Sequence, residues 1–376
     1  MKNAIRLRSG RVIGHGAPCF IVAELCNNHQ GSPDMALTMI REAARCGADA
    51  VKLQKRHAES LLTQEGRNAP YPGKNSFGPT YGEHRKALEL DMTAMAACKA
   101  LAEELGLVFF ASAWDRVSLE EMGRLGVELL KISSADMVCV PLLRQAGAME
   151  LPIIMSTGMS GLAEIDAAVD ILSGYHDDLV LLHCNSVYPC PEERIGLPLM
   201  ALLRKRYGLP VGYSGHERGL GPSVAAAALG ACVVERHFTL DCGLPGTDHA
   251  ASLAPEAFSR LCGMIRETEL ALRPMDKALS PDEEAAAKKL RKSIVFARDL
   301  PPGHVLTPAD LSVKCPGDGV SPLRWDEAAG TVLTVAVSFE EPFAWDKVAP
   351  AGNAQRCADA RRGEGDGAPR KAAVSK

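Results

Sequence analysis

Phe20-Ile21-Val22-Ala23-Glu24-Leu25 is followed by Ser32-Pro33-Asp34, then by Gly47, then by Ala50-Val51-Lys52-Leu53. In that order the residues spell a strand, a helix start, a helix stop and a second strand. Ser32 can accept from the free N–H groups of a first helical turn, Pro33 needs no donor there, and Asp34 suits the positive end of the helix dipole. Gly47 can take the left-handed conformation that ends a helix. The same unit recurs. Further apolar runs lie at Val108–Ala111, Leu129–Ile132, Ile153–Met155, Leu179–Leu182, Val211–Tyr213 and Val233–Val234. Between and after them lie helix-patterned stretches at Ser32–Cys46, Asp91–Leu105, Val117–Leu125, Leu162–Leu172, Leu197–Tyr207, Pro222–Leu229 and Pro255–Leu272. Eight strands alternating with helical pattern over about 250 residues predict a (β/α)8 barrel. A doubly wound open sheet is the alternative, but no Gly-x-Gly-x-x-Gly turn follows the first strand.

The barrel is expected over residues 1–273, a charged linker over 274–292 and a small, mostly β unit over 293–350. Ser280-Pro281-Asp282-Glu283 within the linker reads as another helix start. Pro301-Pro302-Gly303 and Pro316-Gly317-Asp318-Gly319 punctuate the small unit. The tail 351–376 has the composition of a disordered segment. Residues 55–90 form an unusually long, polar strand-to-helix connection, a candidate substrate lid on the active face of a barrel.

The 376 residues carry 42 Lys plus Arg against 46 Asp plus Glu, so no basic excess points to nucleic acid. No apolar run reaches membrane-span length, and the N-terminus lacks the apolar stretch of a secretory signal. None of the 12 cysteines sits in a Cys-x-x-Cys pair. A cytoplasmic protein with reduced thiols is expected.

In a barrel, chemistry gathers at the C-terminal ends of the strands. Those ends carry Glu24, Lys52, Gln54, Ser112, Lys131, Ser134, Asp136, Ser156, Ser186, Tyr188, Ser214, His216, Glu235, His237 and Asp248. Lys52 and Lys131 lie inside apolar runs and are expected to point inward. Such a lysine can form a Schiff base or bind an anion; with Ser112, Ser134, Ser156 and Ser214 around them, the anion is favoured. His216 and His237 end neighbouring strands and are either metal ligands or hydrogen-bonded pocket residues. Glu24 and Glu235 meet where the barrel closes, as proton-transfer groups, orienters or salt-bridge partners. His57, His176 and His304 are expected in solvent, and Trp114 in packing.

The motifs Ile21-Val22-Ala23-Glu24, Asn28-His29-Gln30-Gly31, Gly47–Gln54, Thr80–His84, Ser156-Thr157-Gly158-Met159, Gly212–Glu217 and Glu235-Arg236-His237 resemble those of the sialic acid synthase family. Residues 293–350 resemble the antifreeze-like (SAF) domain that follows the barrel there. The resemblance implies condensation of phosphoenolpyruvate with N-acetylmannosamine or its 6-phosphate, assisted by a divalent metal, Mn2+ ahead of Mg2+ or Co2+. By position, Lys52, Lys131, Ser134, Ser156 and Ser214 match phosphoenolpyruvate contacts, and His216 and His237 match the metal ligands. Gln54, Tyr188 and Asp248 match sugar contacts, with Asp136 placed beside them, and Glu24 matches the catalytic acid. The family's dimer has each antifreeze-like domain capping the partner's barrel. Two departures stand out: Cys315 where many bacterial members have Arg, and Ser186 where many have Asn. Rival readings are a synthase for legionaminic, pseudaminic or Kdn-type acids, a Schiff-base aldolase using Lys131, and a non-enzymatic binder built on the small unit.

Overall fold

The structure, a computed structural model, describes residues 3–350. The tail 351–376 lies outside the described residues. The chain divides into two compact units, the first ending at Arg273 and the second beginning at Pro274.

A short antiparallel hairpin opens the first unit, β1 (Ala4–Arg6) with β2 (Val12–Gly14). Eight parallel strands follow: β3 (Phe20–Cys26), β4 (Ala50–Lys55), β5 (Val108–Ala113), β6 (Leu130–Ile132), β7 (Ile153–Ser156), β8 (Leu179–Cys184), β9 (Val211–Gly215) and β10 (Val233–His237). They pair in sequence order, and β10 closes on β3 to complete the barrel. Each run that the sequence marks as a strand is one.

Strand alternation sorts the side chains into two layers. Phe20, Val22, Ala50, Val108, Phe110, Ile154, Val180, Leu182 and Val233 fill the barrel interior. Ile5, Leu7 and Ile13 of the hairpin join that cluster and plug the N-terminal end of the barrel. The alternate residues, such as Ile21, Ala23, Val51, Leu53 and Met155, pack outward against the helices. Helix Pro33–Arg45 starts as its sequence dictates, with the Ser32 hydroxyl accepting from the Met35 N–H. At about 1.5–3 kcal/mol for each large apolar side chain fully buried, these two layers supply the main driving force for folding.

The sequence pattern did not mark the hairpin or the helix Val140–Gly147. Both are short, and in neither does the local sequence reveal what it packs against. The long connection after β4 is also more ordered than its polar composition suggests. It contains helices Ala58–Leu61, Gln64–Asn68 and Tyr81–Ala87, the last held by a capping box between Thr80 and Glu83.

In the second unit, the helix start at Ser280 becomes helix Pro281–Leu290. Strand β11 (Ser293–Phe296) pairs with β12 (Leu311–Lys314), and β13 (Val332–Leu333) with β14 (Val348–Ala349). Ile294, Phe296, Leu306 and Phe343 form the core. The three histidines expected in solvent have partners: His304 Nε2 lies 2.9 Å from Asp310, His57 Nε2 2.9 Å from Glu121, and His176 Nδ1 accepts from the Asp178 N–H at 3.2 Å. Every described cysteine is a free thiol, and no helix among the described residues is long and apolar enough to cross a membrane.

Candidate active site

The alternation that fills the barrel with apolar side chains continues to its C-terminal mouth, where the inward positions turn polar. Strand register sets Glu24 opposite Lys52, Ser112 opposite Lys131, Ser214 opposite Glu235, and His237 opposite Glu24. They enclose a cavity of about 220 Å3, which Gln54, Ser134, Ser156, Ser186, Tyr188 and His216 also line. A larger cavity of about 630 Å3 opens at the opposite end, beside Arg8, Arg11, Glu103 and Glu128. It has no histidine, lysine or cysteine, so size does not locate the chemistry.

Both lysines are buried and point inward. Lys52 Nζ lies 2.9 Å from Glu235 Oε1 and 3.1 Å from Glu24 Oε2. Burial acts against its charge, but the two carboxylates outweigh burial and hold the ammonium above its ordinary range. Lys131 Nζ donates to Ser156 Oγ at 2.6 Å and to the Ile132 carbonyl at 3.1 Å. With no carboxylate in contact, burial and the charge of Lys52 push it down to about 8. The two glutamates diverge. Burial pushes Glu24 up to about 7, whereas Lys52 and Lys131 overcome burial at Glu235 and keep it ionised. Two carboxyl groups with opposed proton affinities flank one ammonium, a distribution suited to acid–base roles.

The Ser134 hydroxyl accepts from the Gly158 N–H at 3.0 Å. A Cβ at Gly158 would collide with the Ser186 hydroxyl and stand 2.9 Å from Ser134 Oγ. Glycine there keeps open a small recess ringed by hydroxyls beside Lys131. Ammonium, hydroxyl and backbone N–H together form the donor set that phosphate or carboxylate oxygens require.

His216 Nδ1 lies 2.8 Å from the Asn185 carbonyl, to which it donates, leaving Nε2 with its lone pair. Burial and His237 push His216 down to about 3, and burial also lowers His237. Both rings are therefore neutral near pH 7. They stand edge to face with centroids 5.3 Å apart, and the Tyr188 ring packs 4.1 Å from His216. His237 Nδ1 is buried without a partner. Neutral imidazoles with free nitrogens fit a divalent metal.

Asp136 and Asp248 do not line the cavity. The Asp136 carboxylate accepts from Ser133 Oγ at 2.6 Å, and burial pushes it up to about 6. Asp248 reaches His237 and Cys26, and one ligand atom from each of the three lies within 4.8 Å of the others. Sequence reasoning missed Cys184, whose Sγ lies 3.2 Å from Ser134 Oγ, and treated Trp114 as packing. Trp114 lines the mouth and lies beneath the buried guanidinium of Arg56, 4.2 Å away. Their positions at the ends of β8 and β5 were the available signal.

These features define a (β/α)8-barrel enzyme with a basic, hydroxyl-lined mouth. The chain belongs to the NeuB family, whose profile matches residues 39–277, and it carries a SAF domain at residues 291–349. It is 39% identical to the N-acetylneuraminate-9-phosphate synthase of Homo sapiens over 315 residues, 84% of this chain and 88% of that one. It is 36% identical to the N,N'-diacetyllegionaminic acid synthase of Legionella pneumophila over 341 residues, 89% of this chain and 96% of that one. Among solved structures, the N-acetylneuraminic acid synthetase of Leptospira borgpetersenii superposes with a TM-score of 0.66 at 31% identity. That match covers 76% of this chain and 95% of the other.

Proposed function

We propose that this protein is a cytoplasmic synthase that condenses phosphoenolpyruvate with an N-acylated mannosamine, free or 6-phosphorylated, to give a nonulosonic acid and phosphate. The observation that carries the proposal is the side-by-side placement of two sites in one cavity: the Lys52–Lys131–serine cradle and the His216–His237 pair.

In this reading Lys131, Ser134, Ser156, Ser186 and the Gly158 recess hold the phosphate. Lys52, Ser112 and Ser214 hold the carboxylate and fix the enol plane. Restricting the substrate in this way lowers the entropic cost of bringing carbon 3 to the aldehyde. His216 and His237 hold the divalent cation, which supplies Lewis-acid polarisation of the sugar carbonyl when bound. Glu24, with its raised proton affinity, serves as the acid that delivers a proton to the new hydroxyl, and ionised Glu235 keeps Lys52 charged. Water adds at carbon 2, and the tetrahedral adduct loses phosphate by C–O cleavage. Gln54 and Tyr188 contact the sugar in the cavity, whereas Asp136 and Asp248 stand outside its lining. As in the family it resembles, the protein works as a homodimer in which the SAF unit of one copy caps the mouth of the other.

The test is to incubate the protein with phosphoenolpyruvate, N-acetylmannosamine or its 6-phosphate, and divalent metal. One phosphate should be released per nonulosonic acid formed. Chelation should abolish turnover, and His216→Ala with His237→Ala should not recover when metal is restored. Normal metal-dependent rates in that double variant would reject the histidine assignment.

A further inference from the structure

Cys26 is the last residue of β3, and its backbone is unusual. It is a non-glycine residue with φ of +41°. The pairing of β3 with β4 breaks its register there: Glu24 faces Lys52, but Cys26, two residues on, faces Leu53, the very next residue. Such a bulge re-aims a side chain, and an L-residue in the left-handed region persists only where its surroundings impose it. Leu25 stays in the outer apolar layer, and Cys26 is fully buried near His237 and Asp248.

Ligand atoms of Cys26, His237 and Asp248 all lie within 4.8 Å of one another. This is the one group of three or more potential metal ligands found among the described residues. A second observation points the same way. His237 is 6% exposed, and its Nδ1 is buried with no hydrogen-bond partner. A buried polar atom without a partner needs a physical reason, and an unfilled coordination position is one. Metal–ligand bonds of about 2.0–2.3 Å bring ligand atoms to roughly 3.5 Å apart, a closure within reach of small side-chain rotations.

We propose that Cys26 and Asp248 join His237 as ligands of the divalent metal, making a mixed thiolate, imidazole and carboxylate centre. The site then selects a thiophilic cation such as Zn2+, Co2+ or Fe2+ over Mg2+ or Mn2+. The inference deepens the synthase reading and rests on its metal site. Binding replaces the thiol proton: the S–H bond breaks, a sulfur–metal bond forms and one proton leaves to solvent. A thiolate is the softest ligand available to a protein, and hard cations that prefer oxygen gain little from it. His216, its ring 5.3 Å from that of His237, stands beside this centre as a further nitrogen donor.

The test uses full-length protein stripped by chelation and titrated with Co2+ in the absence of substrates. A sulfur-to-cobalt charge-transfer band should grow in the near ultraviolet in the wild type. It should disappear in Cys26→Ser, which still binds cobalt, and persist in Cys184→Ser. With equal Zn2+ and Mn2+ offered, metal retained after desalting should favour zinc in the wild type. Cys26→Ser should lower that preference by roughly tenfold or more, the scale on which even outer-shell partners act. Bound cobalt without a thiolate band in the wild type would overturn the proposal, and this outcome requires no variant to fold. A band that survives Cys26→Ser or vanishes in Cys184→Ser would also overturn it. Phosphate release from phosphoenolpyruvate, measured separately, tests the synthase reading; its failure with every metal would sink that reading, while the cobalt spectrum would still decide the ligand.

Discussion

Lys52 Nζ lies 2.9 Å from Glu235 Oε1, both side chains 5% exposed. Since Glu24 approaches the same ammonium from the other side, at 3.1 Å, one cation stands between two buried carboxylates. Lys52→Met would leave them facing each other without compensation. Removing one member of a buried ionic group costs about 3–5 kcal/mol, and a urea unfolding curve should show a loss of that order. Lys52→Arg should recover most of the stability. Phosphoenolpyruvate affinity should also fall in Lys52→Ala, by one to two decades if a charged hydrogen bond worth about 1.5–3 kcal/mol is lost. A Lys52→Met protein as stable as the wild type would contradict the triad.

Lys131 makes a different prediction because it has no carboxylate in contact. Burial lowers its proton affinity to about 8, and the anion binds the charged form. Below that pH the ammonium is already present, so affinity is flat; above it the proton must be supplied on binding, so affinity falls as pH rises. The dissociation constant for phosphoenolpyruvate should climb by up to tenfold per pH unit above about 8, as titration calorimetry can show. Lys131→Arg stays charged throughout and should remove the slope. A profile that is flat to pH 9.5 in the wild type would reject Lys131 as a titrating anion contact.

Gly158 borders the proposed phosphate recess, with the Ser186 and Ser134 hydroxyls close around it. Gly158→Ala places a methyl carbon against the Ser186 hydroxyl and 2.7 Å from Cys184 Sγ. The expected result is a large rise in the KM for phosphoenolpyruvate, with only a modest fall in melting temperature because the three atoms the methyl meets are side-chain ends that can shift. An unchanged KM would place the phosphate elsewhere in the cavity.

The barrel was legible because its signals are local and repeated. Ser32, Pro33 and Gly47 announce a helix without knowledge of its neighbours, and eight such units leave little choice of topology. The inward lysines were legible because an ammonium inside Ala-Val-Lys-Leu or Leu-Leu-Lys-Ile has no exposed edge to reach. What the sequence hid was pairwise. It showed Lys52, Glu24 and Glu235 but not that they form one ionic group, since residue 235 is far from residue 52 along the chain. The Cys26 bulge was hidden for the same reason: only the register with β4 reveals it. Asp136 shows the converse, a polar strand end whose carboxylate is taken up by Ser133 instead of lining the cavity.

The long connection after β4 bears on the sugar. Lys55 and Arg56, at the start of this connection, are buried and paired with Glu89, 3.4 and 3.6 Å away. Arg85 is only half-buried; its guanidinium donates to the Tyr81 hydroxyl and carries no carboxylate partner among the described contacts. If it grips a phosphate at the far end of the sugar, Arg85→Ala should lower kcat/KM for N-acetylmannosamine 6-phosphate by about 10–100-fold and spare the free sugar. Equal effects on both substrates would assign Arg85 to the lid alone.

The most direct measurement follows the bridging oxygen of phosphoenolpyruvate. With 18O between carbon 2 and phosphorus, N-acetylmannosamine or its 6-phosphate as acceptor, and divalent metal present, mass spectrometry should find the label in released phosphate. The nonulosonic acid formed should carry none of it, as C–O cleavage requires. Label retained in the sugar acid, or a borohydride-trapped adduct on Lys131 with no phosphate released, would contradict the account.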